Sequence, residues 1–252
     1  MIKLENWEVV GWEHAIRGMR NPKNSHDKSD SCWCKDRPTC DNCYFEGSAY
    51  GSTDSKPFRC DDVLGKAPKF SIGNADHELM MKLRNAGTDH RKFMRMIEVY
   101  VDITAPLYWW KEFDTYKVGT VANSCSTMHK IHAKAFVWSD FSTEHLTDGA
   151  KQIMKLIIDE MNIWRYRFLA WDDIDEEKKE RNGWTDKKDF WWQMIQLLPS
   201  SYNQKRTIML SYEVLANMYK SRKAHKLDEW REFCKWIESL PYSELITGND
   251  GI

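Results

Sequence analysis

Residues 93–110, FMRMIEVYVDITAPLYWW, contain a clear strand pattern followed by the start of a helix. Apolar side chains alternate with polar or charged ones, as in a strand that is buried on one face. These apolar residues are Met94, Met96, Val99, Val101 and Ile103. The alternation changes phase near Ile97, where we expect a bulge. Pro106 suits the first position of a helix, with Thr104 or Ala105 as its cap. The stretch therefore predicts a strand that leads directly into a helix.

Similar patterns on both sides of this stretch predict more helices than strands. A strand is expected at residues 7–10, and the short helix after it carries Ala15, Ile16 and Met19 on its apolar face. Asn74 can cap a helix that ends near Gly87. Further helices are expected at residues 142–169, 190–197, 208–221 and 227–238, with a charged connector at 172–189. Because no internal repeat is found, this mixture predicts one α+β domain over residues 1–252.

The composition is that of a folded domain without a strong global charge. The chain has 252 residues, 42% of them hydrophobic, and a formal net charge of −1. Such a balance gives no global attraction to nucleic acid or to a membrane surface. No stretch approaches the roughly 20 apolar residues of a membrane-spanning helix, and the N-terminus has no signal-peptide pattern. We expect a cytoplasmic protein with neither a membrane nor a specific nucleic acid as partner. Two basic stretches, NQKRTIML and YKSRKAHK, leave binding to single-stranded nucleic acid as an alternative.

Residues 27–70 are rich in turn-forming residues and show little periodicity, which predicts an inserted surface loop. Four cysteines in this loop have the spacing C-x-C-x5-C-x2-C: Cys32, Cys34, Cys40 and Cys43. Four thiolates suit tetrahedral zinc, and a loop without a core of its own gains order from a bound metal. A structural zinc site is therefore one interpretation. Reduced surface thiols are the other, because C-x-C is an awkward half-site.

The chain lacks the usual glycine-rich phosphate motifs and the hydrolase nucleophile elbow. Any phosphate must therefore be bound by side chains and helix ends. One candidate region runs from Lys111 and Lys117 to a run of small hydroxyls, an amide and a thiol at residues 123–127. The other is a late helix in which Arg222 follows Asn217 by five residues. An arginine in the last helical turn can also simply complement the helix dipole.

The order of these features resembles that of the flavin-dependent thymidylate synthases. In that family a strand ends in Ala-Pro and enters a helix, followed by Arg-His-Arg and, seven residues later, a serine. Here ITAPLYWWKEFDTYKVGTVANSCS, residues 103–126, has Ala-Pro in place and Thr115-Tyr116-Lys117 where the triplet is expected. Asn217 and Arg222, after the Leu-Pro at 198–199, match the end of the family pattern. The resemblance covers the chain except about residues 27–70 and 165–188.

The resemblance implies a fold of mixed helices and an antiparallel sheet, and a homotetramer whose sites combine several subunits. It also implies FAD as cofactor, with NADPH and methylene-tetrahydrofolate as co-substrates. The one-carbon unit would be transferred to C5 of dUMP, and the reduced flavin would supply the hydride. A related deoxypyrimidine nucleotide such as dCMP, or a hydroxymethyl product, would be a close variant.

The resemblance also implies roles for individual residues. Arg222 would contact the pyrimidine and stabilise its anionic form, since a planar guanidinium suits a base edge. Asn217 would face the flavin, with Lys111 and Tyr116 as further cofactor contacts. The segment that contains Asn123 would wrap the nucleotide phosphate.

Other substrate contacts are expected on both sides of that segment. Lys117 supplies a cation near the phosphate. Gln196 is a candidate for the base edge because its amide can donate or accept. Cys125 stands where the family has its serine, and as a thiolate it could add to C6 of the pyrimidine. Alternatively, Cys125 is a small buried thiol and Ser126 fills the serine position after a one-residue insertion.

Substitutions in the family pattern keep a second function open. Ser211 and Glu213 replace an Asn-x-Arg pair, and Glu213 would repel a phosphate if it faced one. The alternative is a non-catalytic protein on the same scaffold that binds a nucleotide or another protein. The Cys-rich loop would then be a surface for the partner.

Overall fold

A computed structural model describes residues 2–33 and 70–248 of the chain. The rest of the predicted Cys-rich loop, including Cys34, Cys40 and Cys43, lies outside the described residues. The two ends of the loop are built into the domain by a short antiparallel ribbon, β2 (Cys32–Trp33) and β3 (Phe70–Ser71).

The centre of the domain is an antiparallel sheet of four strands in the order β1, β4, β6, β5. Its strands are β1 (Lys3–Val10), β4 (Glu98–Pro106), β5 (Thr120–Ser124) and β6 (Asn203–Ser211). β4 and β6 pair along their whole length. The side chains of Val99, Val101 and Ile103 are buried on one face of β4, as the alternation predicts.

Ten α-helices are assigned within the described residues. They are α1 (Trp12–Arg20), α2 (Asn74–Asn85), α3 (Leu107–Phe113), α4 (Thr127–Lys130), α5 (Asp148–Leu169), α6 (Glu176–Asn182), α7 (Lys188–Leu197), α8 (Tyr212–Arg222), α9 (Asp228–Glu238) and α10 (Glu244–Thr247). The α+β class predicted from the sequence is confirmed.

The junctions around β4 differ from the prediction. Arg91–Met96 form a 3-10 helix, so the change of phase at Ile97 marks a helix-to-strand junction and not a bulge. Pro106 ends β4 and precedes α3, where its missing N–H costs nothing. α3 already ends at Phe113, and Gly119, with φ of 77°, lies in the turn before β5.

Four further parts of the chain differ from the prediction. Residues 208–211 belong to β6, because pairing with β4 and β5 on its two sides outweighs the helical pattern. The helix predicted over residues 208–221 therefore begins at Tyr212. Residues 120–124, for which no strand was predicted, form strand β5. The charged connector contains the helix α6. Asn74 is the first residue of α2, and Asp30 caps that helix by accepting the N–H of Ala75 at 2.8 Å.

Two groups of buried side chains hold the domain together. The larger group lies between the sheet and helices α1, α2, α3, α8 and α9. Its aromatic centre includes Trp109 and Trp230, whose ring centroids are 4.8 Å apart. The smaller group joins α5 to α7 through Met154, Met161 and Met194. Several tryptophans are thus core residues. Their packing holds the ends of α3 and α8 in place.

A buried carboxylate fixes the start of the loop. Asp76 accepts hydrogen bonds from Arg20 Nε, Ser29 Oγ and Ser31 Oγ, each at 2.6 Å. Burial raises the pKa of Asp76, but the hydrogen bonds from the two serines and from Arg20 outweigh this and lower it. Residues 29–31 are therefore anchored to α2.

Candidate functional site

The end of α8 lies against the turn that follows α3. Arg222 donates from Nε to the Tyr116 hydroxyl at 2.9 Å and from Nη1 to Glu112 Oε2 at 2.8 Å. The guanidinium carbon lies 4.7 Å from the centre of a Trp230 ring. The predicted residues Arg222 and Tyr116 therefore belong to one constellation. We call Glu112, Tyr116, Arg222, His225 and Trp230 the Arg222 cluster.

Glu112 is the hub of the Arg222 cluster. Its Oε2 also accepts from Trp230 Nε1 at 3.0 Å and lies 3.3 Å from His225 Nε2. Nδ1 of His225 accepts the N–H of Leu227 at 3.2 Å, so the neutral ring carries its proton on Nε2 and donates to Glu112. Sequence reasoning did not assign a role to Glu112 or His225. Their only signal was position, four residues before Tyr116 and three after Arg222.

A cleft of about 750 Å³ lies where β5 leads into α4, beside the start of β6. We call it the Cys125 cleft. The lining side chains include four lysines and two carboxylates: Lys3, Lys130, Lys134, Lys205, Asp140 and Glu144. The excess of cations, together with Ser126 and Thr127, suits an anionic ligand such as a phosphate.

Cys125 and Ser126 enter this cleft on a fixed backbone. The N–H of Cys125 donates to Lys205 O, and its carbonyl accepts from Gln204 Nε2, both at 2.9 Å. Cys125 is exposed, so the interpretation as a buried thiol is wrong. Ser126 Oγ accepts the N–H of His129 at 3.1 Å and caps α4. Its hydroxyl proton can still be donated to a ligand.

α3 connects the Arg222 cluster to the cleft. Trp110 Nε1 donates to the carbonyl of Gln204 at 3.0 Å, and Gln204 lines the cleft. Glu112 follows Trp110 by two residues on α3. α3 thus makes one contact to each region, through Trp110 to Gln204 of the cleft and through Glu112 to Arg222.

Comparison with solved structures identifies the architecture. Helicobacter pylori thymidylate synthase X with FAD and dUMP matches 98% of both chains, with a TM-score of 0.58 and 13% identity. A second structure of the H. pylori flavin-dependent enzyme, also with FAD and dUMP, gives a TM-score of 0.57 and 14% identity over 98% of this chain and 97% of the other. The chain has the fold of thymidylate synthase X. No protein-family model and no curated protein matches the sequence.

Four residues form a second charged group, and two of them, Glu213 and Asn217, lie on α8 with Arg222. Arg91 Nη2 donates to Asn217 Oδ1 at 3.1 Å, and Arg91 and Arg95 both pair with the buried carboxylate of Glu213. We call these residues the Arg95 cluster. Glu213 would repel a phosphate only if it faced one, and its charge is directed at two arginines, so the group keeps a net positive charge. Sequence reasoning missed both arginines.

The remaining predicted residues are less closely associated with either region. Asn123 is exposed on β5, opposite Thr207 of β6. Lys111, Lys117 and Gln196 are exposed, and none of them lines the Cys125 cleft. Their roles stay predictions.

The described residues bear on two further expectations, the zinc site and the absence of a membrane-spanning helix. Over residues 2–33 and 70–248, no group of three or more metal-ligating side chains occurs. The zinc prediction falls mainly on residues outside these ranges, and only Cys32 is described. Among the described helices, none is both long and apolar enough to cross a membrane.

Proposed function

We propose that this chain is a flavin-dependent thymidylate synthase-like enzyme that transfers a one-carbon unit reductively to C5 of dUMP or a related deoxypyrimidine nucleotide. The observation that supports it most is the hydrogen bond between Arg222 and Tyr116. It joins the two motifs of the sequence resemblance in a chain whose fold matches a thymidylate synthase over nearly its whole length.

In this proposal, the base lies on the Arg222 cluster and the phosphate in or near the Cys125 cleft. Arg222 is the substrate-binding cation, held by Glu112 and Tyr116 and stacked on Trp230. The lysines of the cleft and the hydroxyl of Ser126 neutralise and bind the phosphate. Lys117, Asn123 and Gln196 are assigned further nucleotide contacts.

The Arg95 cluster fits an anionic cofactor such as FAD. Two guanidinium groups face a single carboxylate, and the side chain of Arg95 is 59% exposed, so a cation is available to a diphosphate. Asn217 lies beside it, with Lys111 and Tyr116 as the other assigned contacts. A bound reduced flavin would supply the hydride, with NADPH and methylene-tetrahydrofolate as co-substrates.

The homotetramer belongs to the proposal as well. α5 exposes an apolar stripe in which Ile153 is 62%, Leu156 68%, Ile163 45% and Tyr166 71% exposed. Large exposed apolar patches on soluble domains commonly mark interfaces. In an antiparallel pair of α5 helices, Leu156 would meet Ile163 of the second copy and Ile153 would meet Tyr166. This two-fold match supports self-association. The cytoplasmic location stays a prediction.

Calorimetric titration with dUMP and dCMP, with and without FAD, tests the proposal. Nucleotide binding that tightens when FAD is present is the expected result. Binding of a nucleotide without any effect of FAD would favour a non-catalytic nucleotide-binding protein. Absence of binding for both nucleotides would contradict the proposed function.

A further inference from the structure

The side-chain amide of Gln204 has a single orientation, which Arg206 sets. Arg206 Nε donates to Gln204 Oε1 at 3.0 Å, and Gln204 Nε2 donates to the carbonyl oxygen of Cys125 at 2.9 Å. A guanidinium can only donate and a carbonyl can only accept. The amide oxygen must therefore face Arg206 and the amide nitrogen must face Cys125, because the reverse orientation would lose both hydrogen bonds.

Arg206 is itself held in place on several sides. Its Nη1 donates to Asp114 Oδ1 at 2.7 Å, and its guanidinium carbon lies 4.2 Å from the centre of the Trp110 ring. Trp110 Nε1 donates in turn to the backbone carbonyl of Gln204 at 3.0 Å. The side chain of Arg206 is only 15% exposed. Because Asp114 offsets its charge, Arg206 supports the cleft and is not a free cation within it.

The amide nitrogen of Gln204 retains a hydrogen-bond donor for a ligand. It carries two N–H groups, and the carbonyl of Cys125 uses one of them. Among the described residues, no atom accepts the second. Gln204 lines the Cys125 cleft together with Ser126 and four lysines. The second N–H is therefore available to an acceptor-rich ligand in a cleft of positive charge.

We infer that Gln204 is a further substrate-binding residue that donates this N–H to the phosphate of the nucleotide, with Arg206 as its positioning residue. The inference rests on the proposed function, which puts the phosphate in or near the Cys125 cleft. The lysines supply charge with little directional preference, whereas a fixed N–H donor also orients the phosphate. Without Arg206 the amide could turn its oxygen toward the phosphate and repel it.

A merely structural Gln204 would hold Cys125 without contacting the ligand. Two variants separate these roles. Gln204→Met has a similar length and removes the N–H donors without adding a charge. Gln204→Glu keeps an acceptor for Arg206 but turns a carboxylate oxygen toward the phosphate. Gln193→Glu is the matched control, because Gln193 donates to the carbonyl of Asp189 and does not line the cleft.

The experiment is a calorimetric titration of the full chain with the nucleotide, dUMP or dCMP, that binds more tightly and with the matching deoxynucleoside, which lacks the phosphate. We expect Gln204→Met to weaken nucleotide binding roughly tenfold, the loss that accompanies a hydrogen bond to a charged group. Gln204→Glu should weaken it further. The affinity for the nucleoside should be unchanged in both variants, and Gln193→Glu should bind both ligands like the unsubstituted protein.

Thermal melts and the alkylation rate of Cys125 in the free protein check that the variants keep the fold and the position of Cys125. Nucleotide affinity that survives in Gln204→Met would overturn the inference and leave the nucleotide function standing. So would an equal loss for the nucleoside, or a loss found only in variants whose melting temperature or alkylation rate changes, since both results indicate a structural role. If the unsubstituted protein binds neither dUMP nor dCMP, the proposed function itself fails, and the inference fails with it.

Discussion

Arg222 and Tyr116, which are 106 residues apart in sequence, are joined by a 2.9 Å hydrogen bond from the guanidinium Nε to the phenol oxygen. The contact fixes the end of α8 against the turn after α3. Trp230 packs under the same guanidinium, so the fork of Arg222 is held in one orientation before any ligand binds. Such preorganisation reduces the entropy lost when a ligand is bound.

Replacement of Arg222 by lysine should weaken nucleotide binding by roughly 10- to 100-fold, the range lost with a hydrogen bond to a charged group. Lysine keeps the charge but cannot contact Tyr116, Glu112 and a base at the same time. Titration calorimetry measures the effect. Arg231→Lys is the control, because Arg231 is exposed and pairs with Asp228 on α9. An equal loss of nucleotide affinity in Arg222→Lys and Arg231→Lys would contradict a specific role for Arg222.

Cys125 should be alkylated by iodoacetamide much faster than Cys234 in the native protein. Cys125 is exposed in its cleft, whereas Cys234 is buried and burial raises its pKa to about 11. Thiolate is the reactive form, so Cys234 stays protonated at pH 8. Peptide mass spectrometry distinguishes the two sites.

A bound nucleotide should then protect Cys125 and leave the slow rate of Cys234 unchanged. The variant Cys125→Ser distinguishes two roles of Cys125, a catalytic nucleophile and a residue that only lines the cleft. A nucleophile would lose turnover with nucleotide affinity retained, while a wall residue would lose little of either. Alkylation that is insensitive to nucleotide would contradict the placement of the phosphate in this cleft.

Asp102 should make the fold sensitive to acid. Hydrogen bonds from Asn6, Thr207 and Lys205, in decreasing order of effect, lower the pKa of Asp102 to about 2. Because the folded pKa lies below the ordinary value of 3.8, the stabilisation is complete above about pH 4. It is lost as the pH falls toward 2.

Asp102→Asn should therefore lower the melting temperature at pH 7 by roughly 2–4 °C, which is the shift produced by about 1 kcal/mol in a chain of this size. The difference from the unsubstituted protein should shrink as the pH falls from 4 to 2. Asp172→Asn, at an exposed carboxylate, serves as control in the same thermal melts. A difference that is independent of pH would show that Asp102 does not act through its charge.

Leu156→Glu should dissociate the assembly, because it places a charge in the apolar stripe of α5. Sedimentation velocity would show a smaller species at the same protein concentration. Val118→Glu is the control, since Val118 is 91% exposed outside the stripe. Asp159 and Glu160 lie at the centre of the antiparallel pair, where the carboxylates of the two copies would repel each other. Salt screens this repulsion and should therefore strengthen assembly of the unsubstituted chain. A monomeric unsubstituted protein would contradict the stripe as an interface.

The sequence predicts the elements whose patterns are local and strong. The alternation through Val99 and Ile103 predicts β4, and the apolar spacing in α1, α7 and α9 predicts those helices. β5 and the first half of β6 carry few apolar residues, and their strand form depends on pairing that no local pattern records.

The candidate site divides in the same way. Arg222 and Tyr116 could be selected from the order of motifs. The sequence does not single out Glu112, Arg91 or Arg95, because the partner of each of these charged residues is distant in sequence and is brought close only by the fold. The exposure of Cys125 likewise depends on its backbone bonds to β6.

Release of tritium from nucleotides labelled at C5 tests the central claim most directly, because one-carbon transfer to C5 must expel the hydrogen bound there. The protein would be incubated with labelled dUMP or dCMP, methylene-tetrahydrofolate, FAD and NADPH. We predict that tritium enters water with at least one nucleotide and that Arg222→Ala abolishes the release. No release from either nucleotide, under conditions in which the nucleotide and FAD bind, would contradict the assignment as a thymidylate synthase-like enzyme.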